Sequence, residues 1–184
     1  MPSGISLNTR LVSDLYSALI TKLSMKTLYI LRHAKSSWDN PNLADFERSL
    51  NERGLKSAPL IGAIICKNKF QPDLMLSSPA QRAKQTAFLV KEAGKIDAEI
   101  QFDERIYEAS PPQLVQVISE LKTDSESAML VGHNPGLEGL IRFLTGENQA
   151  MPTAALAVID LQVQNWAEAN VQCGNLRTLI RPND

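Results

Sequence analysis

The sequence predicts an α/β protein: a three-layer α/β/α sandwich with a mostly parallel central sheet and helices on both faces. Two observations predict it. Short apolar runs of strand length alternate along the chain with longer segments whose apolar residues recur at helical spacing. The chain has only two histidines, His33 and His133, and each closes one of those apolar runs, at the strand ends where open α/β sheets build their sites. A chain of 184 residues, 43% of them hydrophobic, is long enough for one substantial core.

In order, strands are expected near residues 27–31, 74–77, 99–102, 128–132, 155–161 and 176–180, and helices near 51–67, 79–93, 111–121 and 135–145. Pro59 argues for a kink or a split in the first helix, because its ring nitrogen carries no proton for the helical ladder. Ahead of the second, Ser78 suits the N-cap and Pro79 the first helical position. Arg82 then falls in the first turn, beside free amides and the positive end of the helix dipole. No internal repeat or low-complexity stretch interrupts the alternation.

Residues 1–24 stand apart from a domain expected to fill residues 25–184. Leu7, Leu11, Leu15 and Leu19 form an apolar stripe at helical spacing, which predicts an N-terminal helical extension docked on its own domain or on a partner. Met25 is also compatible with a start at that residue, and Arg10 with the single acid Asp14 with an organelle transit peptide. The net charge of −1 gives no reason to expect nucleic acid or an anionic membrane as partner. Two distant cysteines, Cys66 and Cys173, and no apolar run of spanning length fit a soluble protein of the cytoplasm. Without Cys-x-x-Cys, His-x-x-x-His or a carboxylate cluster of ligand spacing, no metal and no cofactor are expected.

Arg32 beside His33 is a chemically pointed pair. A neighbouring guanidinium favours the neutral imidazole, a usable nitrogen nucleophile, and supplies fork-shaped donors for phosphate oxygens. Arg82 at a helix start is a second anion-facing cation. With His133 at a third strand end, the pattern predicts phosphoryl chemistry.

Three segments carry a resemblance. Leu-Arg-His-Ala-Lys-Ser-Ser-Trp at 31–38, Ser-Ser-Pro-Ala-Gln-Arg-Ala-Lys-Gln-Thr-Ala at 77–87 and Val-Gly-His-Asn-Pro-Gly at 131–136 together resemble the histidine phosphatase superfamily, the phosphoglycerate mutase-like proteins. More narrowly they resemble its SixA-type phosphohistidine phosphatase branch. The similarity runs from about Met25 to near the C-terminus, and departs from the wider superfamily at Ala34, where that superfamily has glycine. It implies a metal-independent phosphatase with no cofactor, in which His33 is the nucleophile and Arg32, Arg82 and His133 surround the transferring group.

The same resemblance makes Glu108 the candidate general acid, although a carboxylate just ahead of the helix start at Ser110-Pro111 is equally explained by the helix dipole. Arg48 either reaches a substrate anion or pairs with Asp45 or Glu47. Lys35 and Ser36 on the nucleophile loop, and Asn134 after the second histidine, are further candidates for substrate contact. The implied substrate is phosphorylated, foremost a phosphohistidine-bearing protein. The alternatives are a small-molecule phosphomonoesterase and a phosphate-binding regulatory module without turnover.

Overall fold

The computed structural model describes residues 25–182; the helix expected in residues 1–24 lies outside the described residues. Six strands form one sheet: β1 (Lys26–Arg32), β2 (Leu74–Ser77), β3 (Ile100–Phe102), β4 (Ser127–Gly132), β5 (Leu156–Leu161) and β6 (Gly174–Ile180). Their spatial order is β3-β2-β4-β1-β5-β6. The four strands β3, β2, β4 and β1 run parallel, whereas β5 and β6 continue the sheet antiparallel from β1. Parallel neighbours cannot be joined by tight turns, and the helices supply the crossovers. These are α1 (Glu52–Lys67), α2 (Gln81–Gly94), α3 (Pro111–Ser119) and α4 (Gly136–Thr145).

The predicted three-layer architecture is present. Successive strand side chains point to opposite faces, so Leu28 and Ile30 of β1 join one core with Leu114, Ile118, Leu137 and Ile141 of α3 and α4. Tyr29 and Leu31 join the other, with Ala58, Ile61 and Ile65 of α1 and Ala83, Ala87 and Val90 of α2. Strands covered on both faces read as continuous apolar runs, which is why they were legible as Leu-Tyr-Ile-Leu and Met-Leu-Val.

Two local expectations are corrected. Helix α1 is unbroken from Glu52 to Lys67 with Pro59 inside it, so the chain does not split there. The carbonyl that loses its helical partner belongs to Leu55, a residue 49% exposed, where water can replace the missing bond. Helix α2 begins two residues later than its sequence suggests: its N-cap is Ala80, not Ser78, and Pro79 precedes the cap. Ser78 is freed for another partner, described below.

Two glycines let loops close onto helices. A Cβ on Gly54 would lie 2.2 Å from the carbonyl oxygen of Lys35, and one on Gly136 would lie 2.1 Å from that of Ala109. Only hydrogen fits at either contact. The first seats the loop after β1 on α1; the second seats the segment before α3 on α4.

Candidate active site

The parallel register builds the site. Arg32 of β1 faces Gly132 of β4, and Ser77 of β2 faces Val131, so the next residues along, His33, His133 and Ser78, leave the sheet side by side at its C-terminal edge. Backbone bonds extend one step past the strands: the His33 N–H donates to the Gly132 carbonyl at 3.1 Å and that of Ser78 to the Val131 carbonyl at 3.0 Å. The two imidazole centroids lie 5.0 Å apart. Residues a hundred positions apart in sequence are thereby neighbours.

His33 is buried, and its Nδ1 lies 2.7 Å from the Ala34 carbonyl oxygen. A carbonyl can only accept, so the imidazole proton sits on Nδ1 and the Nε2 lone pair is free. Burial pushes the His33 pKa down to about 4, the Ala34 carbonyl opposes, and the charges of Arg82, Arg32 and Arg48 add to the depression. At neutral pH this is an uncharged imidazole. The loop that carries it is tied to α2, since the Ala34 N–H donates to Thr86 Oγ1 at 2.9 Å and the Thr86 hydroxyl donates to the Arg82 carbonyl at 2.7 Å.

His133 is buried as well, but tied by the opposite nitrogen. Its Nε2 lies 2.8 Å from Ser78 Oγ, while its Nδ1 is buried without a partner. Burial holds its pKa near 3, with His33 and Arg82 as further causes. The Tyr107 ring meets it edge-on at 5.5 Å, and the Tyr107 hydroxyl donates to Asp45 Oδ2 at 2.9 Å.

Asp45 is the hub of the cationic side. Arg82 donates through Nη1 to the Asp45 carbonyl at 2.6 Å and through Nη2 to its Oδ2 at 2.7 Å. Arg48 donates to Asp45 Oδ1 at 2.6 Å, to the Ser37 carbonyl at 2.9 Å and to Ser36 Oγ at 2.8 Å, with the Trp38 ring stacked on its guanidinium. Burial alone would raise the Asp45 pKa, but hydrogen bonds from Tyr107, Arg48 and Arg82 outweigh it and hold the carboxyl near 2. One ionised carboxylate thus serves two guanidiniums, and the cluster keeps a positive surplus suited to an anion. Arg48 pairs with Asp45, one of the two carboxylates the sequence offered it. Ser36 is buried beneath Arg48, and Lys35 is exposed.

Arg32 is positioned from behind. Its Nη1 donates to the Met151 carbonyl at 2.7 Å, and its Nε is buried without a partner. The Asn134 amide donates to that carbonyl at 3.0 Å and to Glu138 Oε1 at 2.7 Å, and Glu138 also accepts the Met151 N–H at 2.8 Å. Asn134 and Glu138 therefore brace the Met151 segment that holds Arg32. The Asn134 NH2 group is occupied by that bracing, and its Oδ1 is buried and unpaired.

Glu108 is the expected site residue that the structure does not join to the others. It adopts the left-handed conformation at φ 50°, a turn that sends the chain from Tyr107 beside His133 to an exposed Glu108. Its side chain lines an open cavity of about 730 Å³ with Ser110, Gln113, Glu138, Arg142 and Gln149. Among the described residues it forms no hydrogen bond or ion pair, and no group of three or more His, Cys, Asp or Glu side chains is placed to hold a metal ion.

Four residues of this architecture escaped the sequence reading as site residues: Ser78, Tyr107, Asp45 and Glu138. Glu138 carried a signal, since it stands four residues after Asn134 at a helix start, where such pairs meet. Tyr107 carried none.

Comparison with known proteins agrees with the fold. Residues 28–124 match the model of the histidine phosphatase superfamily (branch 1), a span that holds His33, Arg48 and Arg82. An uncharacterized chloroplastic protein of Arabidopsis thaliana is 30% identical over 95% of this chain and 85% of its own length. An uncharacterized protein of Mycobacterium tuberculosis is 31% identical over 79% of this chain and 96% of its own. The crystal structure of a candidate phosphohistidine phosphatase SixA from Agrobacterium tumefaciens is 32% identical, with a TM-score of 0.75 over 85% of this chain and 98% of that one. A protein histidine phosphatase SixA solved with tungstate shares the fold at a TM-score of 0.75 and 20% identity. With a family model covering more than half its length and relatives of this similarity, the chain belongs to the histidine phosphatase superfamily, and it is a phosphatase of that family.

Proposed function

We propose that the protein hydrolyses phosphohistidine, a protein phosphoramidate, through a covalent phosphohistidine on His33. In the first step the Nε2 lone pair of His33 attacks phosphorus, the substrate's P–N bond breaks, and its electron pair leaves on an imidazole whose other nitrogen already carries a proton from solvent, so that it departs neutral. In the second, water attacks the phosphorus on His33, inorganic phosphate departs and the free imidazole returns. Phosphoryl transfer depends on positioning and on charge at the equatorial oxygens. Arg32 and Arg82 would supply that charge, and His133 a further hydrogen bond.

The single observation that carries the choice of substrate is that, among the described residues, no carboxyl able to give a proton is bonded to His33. Asp45, the carboxyl that bonds Arg48 and Arg82 among the described residues, is held ionised near pKa 2. Glu108 stands in the adjoining cavity. An alkoxide leaving group needs a proton as its bond breaks, whereas an imidazole, with a reference pKa of about 6.5, departs with far less help. The likeness to the Agrobacterium SixA points the same way.

A small phosphate monoester is the second reading. The cavity of about 730 Å³ lined by Glu108, Glu138 and Arg142 is what favours it. Measuring kcat/KM for a phosphohistidine-bearing protein beside small phosphate esters decides between them: higher turnover of the phosphohistidine protein is expected. Equal or better turnover of an ester would overturn the substrate assignment, and no phosphate release from any of them would leave a phosphate-binding module without turnover.

A further inference from the structure

Ser78 follows the last residue of β2 and is wholly buried. Its hydroxyl oxygen accepts the Ala80 backbone N–H at 3.2 Å and lies 2.8 Å from His133 Nε2. A hydroxyl has one proton to give and two lone pairs with which to accept. Ala80 brings a donor, so among the described residues His133 Nε2 is the one partner of Ser78 Oγ able to take that proton. The reverse arrangement, with Nε2–H donating to Ser78, would leave the hydroxyl proton buried and unpaired.

His133 has a single proton for its two nitrogens, because burial and the nearby charge of Arg82 keep it neutral. Which nitrogen carries that proton is set by the hydrogen bond the other makes. We propose that Ser78 sets the tautomer of His133: its hydroxyl donates to Nε2, holds the imidazole proton on Nδ1, and so presents an uncharged N–H beside His33 as a donor to a transferring phosphoryl oxygen. Nδ1 is the ring nitrogen that is buried and has no partner within the described protein. The use of that donor rests on the phosphoryl transfer proposed above; the tautomer does not. Ser78 is a positioning residue, acting on the substrate only through His133.

With two histidines in the whole chain, the experiment is direct. Nitrogen-15 NMR of the 184-residue chain labelled at histidine reports the protonated nitrogen of each ring, and His33→Ala assigns the two sets of signals. The expected wild-type result is Nδ1–H at His133 as at His33. Ser78→Ala should release the constraint, so that Nε2–H becomes populated, and should lower kcat/KM roughly tenfold to a hundredfold, the range for partners that orient a functional imidazole in metal sites. Ser78→Thr keeps the hydroxyl and should restore both the tautomer and most of the rate.

Nε2–H at wild-type His133, or an unchanged tautomer in Ser78→Ala, would overturn the assignment whatever the activity. A changed tautomer with undiminished turnover would overturn the use of the Nδ1 proton. If His33→Ala instead kept full activity, the covalent mechanism would fall while the NMR result stood. Should Ser78→Ala fail to fold, the wild-type spectrum and Ser78→Thr still decide the tautomer.

Discussion

The two histidines at the centre of this protein are close to mirror images in role. Both are buried, both are uncharged at neutral pH, and their rings lie 5.0 Å apart just past the ends of neighbouring parallel strands. Yet His33 is tied through Nδ1 to a backbone carbonyl, whereas His133 is tied through Nε2 to a hydroxyl. A carbonyl demands a proton, so His33 keeps a bare Nε2; a hydroxyl can supply one, so His133 can keep its proton on Nδ1. The same side chain at the same depth thus offers a lone pair in one place and can offer a hydrogen-bonding N–H in the other. The difference lies one bond outward, in Ala34 and Ser78.

Substituting each histidine in turn breaks the symmetry most sharply. His33→Ala is expected to abolish turnover and the covalent intermediate together, with the fold intact, because the residue adds chemistry at a strand end and little packing. His133→Ala should slow the reaction a hundredfold to a thousandfold, as loss of one preorganised donor does in comparable sites, while still forming the intermediate. Rapid quenching after mixing with labelled substrate should trap phosphate on the His133 variant in an acid-labile, base-stable linkage. Activity of His33→Ala within about tenfold of wild type would sink the covalent route.

Arg82 extends the contrast from nitrogen to guanidinium. It spends two donors on Asp45 in the resting site, one on the backbone carbonyl and one on Oδ2, and a planar fork can hold both while offering its remaining N–H groups. Lysine keeps the charge and loses the fork. Arg82→Lys should therefore lose about a hundredfold to a thousandfold in kcat/KM, close to Arg82→Ala. Near wild-type activity in the lysine variant would make Arg82 a charge of the loop, not of the reaction.

The shared burial of the pair has a pH signature. With His33 held near 4, the acid limb of kcat/KM should have its midpoint near 4 and not at the ordinary histidine value of 6.5. Stability follows the same window. The unfolded chain binds a proton near 6.5 and the folded chain only near 4, so stability is full above 6.5 and is lost as pH falls from 6.5 toward 4. Urea midpoints taken at about pH 7 and about pH 5 should fall more for wild type than for His33→Ala. Equal losses would mean that His33 titrates as it does in water.

Much of this was legible before the structure because periodicity and strand ends are local properties. The apolar runs marked the strands, and the neighbours of His33, Arg82 and His133 marked an anion site. What the sequence could not convey was register. That Ser78 stands beside His133 follows only from β2 and β4 being adjacent and parallel, and without it Ser78 reads as a helix cap. Arg48 is the same case: that it pairs with Asp45 and not Glu47 depends on how the loop after β1 folds back through the Ser36–Leu50 bridge. The placement of Glu108 was not legible for a backbone reason, since nothing in its neighbours announces a left-handed turn at a glutamate.

That turn leads to the smallest expected effect. Glu108 lines the adjoining cavity and is not bonded to the histidines, so Glu108→Gln should leave phosphohistidine hydrolysis within a few-fold of wild type. An ester whose leaving group enters the cavity would still draw on its proton, because an alkoxide cannot depart unassisted. Hydrolysis of phosphomonoesters should accordingly slow much more than that of phosphohistidine, and the ratio of the two effects across pH is the quantity to measure. Small and equal effects on both would remove Glu108 from the chemistry altogether. Large and equal effects would instead make it an organiser of the segment that carries Tyr107 to His133, and would return the question of leaving-group protonation to the side of the cleft that Asp45 holds.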